Sequence, residues 1–150
     1  MSMAGKGTGF DDLVADTDAV YQADLARLRT IAAEEARLRA ELAQLAEDER
    51  RNAAANPEDI AALNRIGGDV LWKAWIGRKR EALNRQLATV MALKLTAARQ
   101  LRHSFGKTSV AEELRDRDRQ QRRGDKATRR LAEEQAQMLL KAGTTRPGGL

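Results

Sequence analysis

Two adjoining rows of residues recur every seven positions in the first third of the chain: Val14, Tyr21, Leu28, Glu35 and Leu42, and beside them Thr17, Asp24, Ile31, Leu38 and Leu45. Steps that alternate between three and four keep both rows on one side of a helix. A stripe this narrow is a coiled-coil seam rather than a broad globular face. The spacing predicts a helix over about 11–54, with Glu35 the one charged residue among the seam positions from Leu28 to Leu45. Asp11, Asp12, Asp16 and Asp18 cluster at its start, where acids favour the positive end of the helix dipole.

A second stripe, Leu83, Leu87, Val90, Ala97 and Leu101, runs through the stretch from Asp69 to Phe105. No proline interrupts that stretch, and Gly77 costs only about 1 kcal/mol against alanine, so one long helix is expected, in need of a partner for its stripe. Between the two stripes lies Asn56-Pro57-Glu58-Asp59: asparagine caps a helix, proline fits its first position, and acids suit its first turn. The short helix so begun carries Ile60, Leu63 and Ile66 and meets Gly67-Gly68 after about three turns. Residues 55–68 are thus a turn with a short helix, and the chain returns as a helix over about 69–141. Phe105-Gly106-Lys107, followed by the capping-box pattern Ser109-Val110-Ala111-Glu112, marks a point near 106 where that helix could kink or restart.

The fold class that follows is all-α. It is a long antiparallel helical hairpin (coiled coil) over 10–141, with a short helix at the turn. The first helix, about 66 Å at 1.5 Å per residue, matches the return to about Glu113 and leaves about 25 residues as a projecting basic C-terminal helix. Residues 1–9, small and glycine-rich, and 142–150, with Pro147 and several glycines, are expected to be disordered ends.

Composition sharpens this picture. In 150 residues there are two Trp, two Phe and one Tyr, a third of the chain is charged, and Ala, Glu, Leu, Lys and Arg dominate. That is the profile of long helices. With no cysteine and one histidine, disulfides, thiolate metal sites and His-rich metal sites are excluded. GKGTG near the N-terminus lacks the GxxxxGK[ST] pattern and the strand a phosphate loop needs. His103-Ser104 has no acid or second base at helical spacing. The expectation is a protein that is not an enzyme and takes no cofactor. Lacking a signal-like apolar run or any window near 18 apolar residues, it is expected to be cytoplasmic, without membrane insertion.

Charge is unevenly placed. Residues 1–59 hold 7 Lys/Arg against 13 Asp/Glu, a net of −6, and residues 78–130 hold 16 against 6, a net of +10. Two candidate partner-binding places emerge. One is Trp72, Trp75 and Ile76, which either cover the turn end of the hairpin or offer an exposed anchor of the kind enriched in interfaces. The other is the basic helix with Arg115, Arg119, Arg122, Arg123 and Arg130. Nucleic acid is an alternative partner for the 115–130 segment. It ranks lower because the stretch from Glu112 to Arg130 sets five acids among its eight basic residues and holds no aromatic side chain to stack a base. Arg78, Lys79 and Arg80, with Glu81 beside them, read as a solvated face.

The run Lys79-Arg80-Glu81-Ala82-Leu83-Asn84-Arg85-Gln86, and Ala97-Ala98-Arg99-Gln100-Leu101 through Glu112-Glu113-Leu114, resemble the second helix of the FliJ family of flagellar type III export proteins. The resemblance covers residues 10–140; the Pro57–Gly68 turn with two tryptophans after it departs from a plain hairpin. It implies a soluble, stalk-like protein or chaperone of bacterial flagellum biogenesis and protein transport, similar in shape to the rotor coiled coil of rotary ATPases. It implies contact with an export ATPase through the helix ends and with an export gate through the side. Such a protein would be a monomer or a coiled-coil dimer, peripheral at the inner membrane through the export apparatus.

Overall fold

A computed structural model describes residues 5–55, 57–65 and 67–144. They form three helices, α1 (Gly5–Ala53), α2 (Pro57–Arg65) and α3 (Gly68–Thr144), and no strand occurs among the described residues. The chain is all-α, as its seven-residue spacing requires.

The turn chemistry acts as expected. After α1, the amide of Ala54 still donates to the Arg50 carbonyl at 3.0 Å, and that of Ala55 to Asn52 at 3.3 Å. Pro57 then opens α2, with Glu58 and Asp59 in its first turn. Its end depends on Gly67, whose φ of 70° lies in the left-handed region that side chains rarely adopt, with its amide held to the Asn64 carbonyl at 3.2 Å. The Leu71 amide donates to the Gly67 carbonyl at 3.3 Å, which starts α3. Asn56 and Ile66, expected as cap and apolar contact, lie outside the described residues, as does the Leu63 side chain.

Element ends differ from expectation in three ways. α1 begins at Gly5, not near residue 11, and α3 continues to Thr144, so residues 5–9 and 142–144, expected to be disordered, are helical. The rest of the two expected disordered ends, 1–4 and 145–150, lies outside the described residues. The break expected near 106 does not form, since α3 runs unbroken through Gly106. Glycine there costs about 1 kcal/mol, too little to interrupt a helix whose flanking turns stay packed. Ser109 is therefore an interior helical residue rather than a cap.

The chain forms two compact units, one of residues 20–104 and one joining 1–19 to 105–150. In the 20–104 unit, α1 and α3 run antiparallel beside α2. The ion pairs give the direction: moving 14 residues forward from Glu35 to Glu49 moves the partner 14 residues back, from Lys94 to Arg80. The core is Leu38, Leu45, Ile76 and Leu83, with Leu42, Trp72, Leu87 and Val90 packed against it. Each such leucine or isoleucine contributes roughly 1.5–3 kcal/mol through burial. Ala97 and Ser104 continue the buried row of α3. In the other unit that row proceeds through Thr108 and Ala111, and Arg119 reaches across to Asp11 at 3.1 Å. The α3 seam thus keeps its four-three alternation from Ile76 to Ala111 while its residues change from large and apolar to small and hydroxylated.

Candidate functional site

Glu35, the charged exception in the seam, sits between two cations. Lys94 Nζ donates to its Oε2 at 2.7 Å, and Arg39 Nε and Nη2 donate to its Oε1 at 3.0 and 2.9 Å, leaving the side chain 12% exposed. Lys94 first and Arg39 second hold the Glu35 carboxyl below its usual value, because both hydrogen bonds favour the charged form. The arrangement is structural: a seam charge matched by a charge from the facing helix. A second seam acid, Asp24, has one buried carboxylate oxygen without a hydrogen-bond partner, next to a cavity of about 40 Å³ that Thr96, Ala97 and Gln100 help to line. No cluster of three or more metal-ligating side chains occurs among the described residues. His103 is exposed on α3, and Ser104 beside it is buried with its hydroxyl donating to the Leu101 carbonyl at 3.1 Å.

The turn end separates the three residues expected to act together. Ile76 is 2% exposed and belongs to the core, Trp72 is half-buried against that core, and Trp75 is 51% exposed. The expected trio is therefore not one partner face. Trp75 instead stands one turn after Leu71, with Val70 alongside, and all three are exposed. This patch could have been found from the i, i+4 spacing of Leu71 and Trp75 once the seam was fixed through Ile76. On the other side of Trp72, the end of α1, α2 and the start of α3 enclose an open groove of about 1,030 Å³, lined among others by Ala46, Asn52, Ile60, Asn64 and Trp72.

The five arginines of the basic segment all lie on one unbroken helix. Arg115 is half-buried beside Asp116 (3.3 Å), Arg119 pairs with Asp11, and Arg122 pairs with Asp118 at 3.0 Å. Arg123 and Arg130 make no ion pair among the described residues, nor do Lys126 and Arg129. Every residue from Arg119 to Thr144 is exposed, including Leu131, Met138, Leu139 and Leu140. No described helix is long and apolar enough to cross a membrane. Two exposed stretches of α3 thus stand out, one aromatic and apolar around Trp75, the other basic and then apolar from Arg119 onward. Met91, Leu93, Leu95, Phe105 and Val110 are exposed singly between them. Compared with protein-family models, with curated proteins and with solved structures, the chain matches none.

Proposed function

We propose that this chain is a non-enzymatic coiled-coil interaction protein that engages larger protein partners through the two stretches of α3 that α1 leaves uncovered. The observation that carries this reading is the run from Arg119 to Thr144, a helix with four large apolar residues in which every residue is exposed. Exposed apolar side chains gathered in one place mark contact surfaces, and the Val70, Leu71 and Trp75 patch is a second one with an aromatic anchor. The seam between these stretches spends its apolar residues on the hairpin itself.

The resemblance to the FliJ family supplies the candidate partners, a flagellar export ATPase for the C-terminal helix and an export gate for the aromatic patch. Trp75→Ala is the cleaner probe of the patch, because Trp72 also packs the core. Binding of full-length protein to a purified export ATPase and to a gate cytoplasmic domain tests the reading. Trp75→Ala is expected to weaken gate binding about tenfold, as loss of an interface aromatic does, with an unchanged melting temperature. Removal of 119–150 is expected to abolish ATPase binding. Wild-type protein that binds neither partner overturns the flagellar assignment, and gate binding unaffected by Trp75→Ala overturns the role of the patch.

A further inference from the structure

The interleaving of acids with arginines along the sequence counts against phosphate binding less when an unbroken helix sorts the acids to the edges of a basic face. At 100° per residue, Arg115, Arg119, Arg122, Arg123, Lys126, Arg129 and Arg130 fall within an arc of about 120°. The three acids of the same stretch, Asp116, Asp118 and Asp125, fall outside that arc, on its two flanks. Arg117 is the one basic residue turned away. Glu112 and Glu133 bound the arc at its two ends, so it is a defined patch of roughly 22 Å along the helix axis, the span of about six phosphates of one DNA strand.

Three of the seven cations are engaged, with Asp116, Asp11 and Asp118. Arg123, Lys126, Arg129 and Arg130 are exposed and without an ion pair among the described residues. We propose that this arc is a sequence-independent binding surface for the phosphate backbone of duplex nucleic acid. The chemistry selects that occupant. Arginine, six of the seven residues, suits the bidentate oxygens of phosphate. No aromatic residue lies between Arg115 and Thr144, which disfavours stacking on single strands. The arc itself carries no apolar residue, and a protein interface without an apolar centre is the exception. Between Arg119 and Arg130 the opposite face offers only Ala127 for insertion into lipid, whereas Leu131 and Met138 lie further along. Leu131, Met138 and Leu139 face away from the arc, whereas Leu140, about two turns beyond Glu133, lies on the arc's side. The phosphate surface thus uses other residues than the apolar contacts proposed above but shares their helix.

The test is fluorescence anisotropy of a 25-base-pair duplex DNA with the full chain at rising salt. For four neutralised phosphates, log K should fall with log salt at a slope of about −3.6, a loss of roughly a hundredfold between 50 and 200 mM. The quadruple variant Arg123→Gln, Lys126→Gln, Arg129→Gln and Arg130→Gln keeps good helix formers and should lose both the affinity and the slope, with circular dichroism unchanged. Arg117→Gln, off the arc, should bind as wild type does. A quadruple variant that binds like wild type, or a wild-type slope shallower than about −1, overturns the proposal. So does tighter binding to polyglutamate or to anionic phospholipid vesicles than to duplex DNA at equal salt.

Discussion

Between Trp72 and Leu101, α3 turns a residue inward at every third or fourth position, whereas from Arg119 to Thr144 each of its residues faces outward. The backbone is the same continuous helix in both places. In the first stretch it is held by Ile76 and Leu83 against Leu38 and Leu45, so it exists because α1 exists. In the second it rests on composition: alanine, leucine, glutamate, glutamine and arginine are strong helix formers, and helices without tertiary partners are marginal even then. The difference separates a region whose sequence is constrained by packing from one whose sequence is free to serve recognition.

The sharpest way to break this comparison is to truncate one leucine that holds the packed stretch and one in the uncovered stretch. Leu38→Ala is expected to cost about 2–5 kcal/mol in urea denaturation, because the cavity it leaves in so narrow a core has few neighbours to fill it. Leu139→Ala, at an exposed position, should change stability by less than about 0.5 kcal/mol. Equal losses would mean that the C-terminal helix is covered in solution.

The next effect concerns the seam charge. Because the carboxyl of Glu35 titrates lower in the folded chain, its contribution is fully present above the ordinary glutamate value of 4.5 and is lost as pH falls through the depressed folded value. The difference in melting temperature between wild type and Glu35→Gln should therefore be constant well above 4.5 and shrink as pH falls below it. A difference that grows on acidification would show that Lys94 and Arg39 do not stabilise the charged form.

The smallest expected effect sharpens the comparison further. An added Cβ meets nothing within 4 Å at Gly106 or at Gly124. Gly106→Ala, beside the paired seam, should raise global stability by about 0.5–1 kcal/mol. Gly124→Ala, in the uncovered stretch, should slow local hydrogen exchange while leaving the global transition almost unmoved.

Much of the fold was legible because leucine and proline carry strong signals. The seam from Leu28 to Leu45, the start of α2 at Pro57 and the break at Gly67 all follow from residue type and spacing. The continuation past Leu101 was not, because Ser104, Thr108 and Ala111 are buried without looking like core residues. The partner of Glu35 was hidden as well, since only the register of the two helices brings Lys94 opposite. The candidate surfaces were half legible. Aromatic content pointed to the turn end, but which of Trp72 and Trp75 faces inward depends on where the seam enters α3. Likewise, counting acids against arginines between Glu112 and Arg130 conceals the arc that an unbroken helix sorts them into.

The cross-helix ion pairs also order the assembly of the hairpin in time. They join residues 31, 59 and 108 positions apart: Arg80 with Glu49, Lys94 with Glu35, Arg119 with Asp11. Closing the longest of these loops directly from an open chain costs about 1 kcal/mol more in chain entropy than closing the shortest. Pairing that begins beside α2 avoids this penalty, since each new contact then extends an existing one by a few residues. Within the 20–104 unit, pairing is therefore expected to begin beside α2, and pulsed hydrogen exchange should protect amides around Leu45 and Ile76 before those around Glu35 and Lys94.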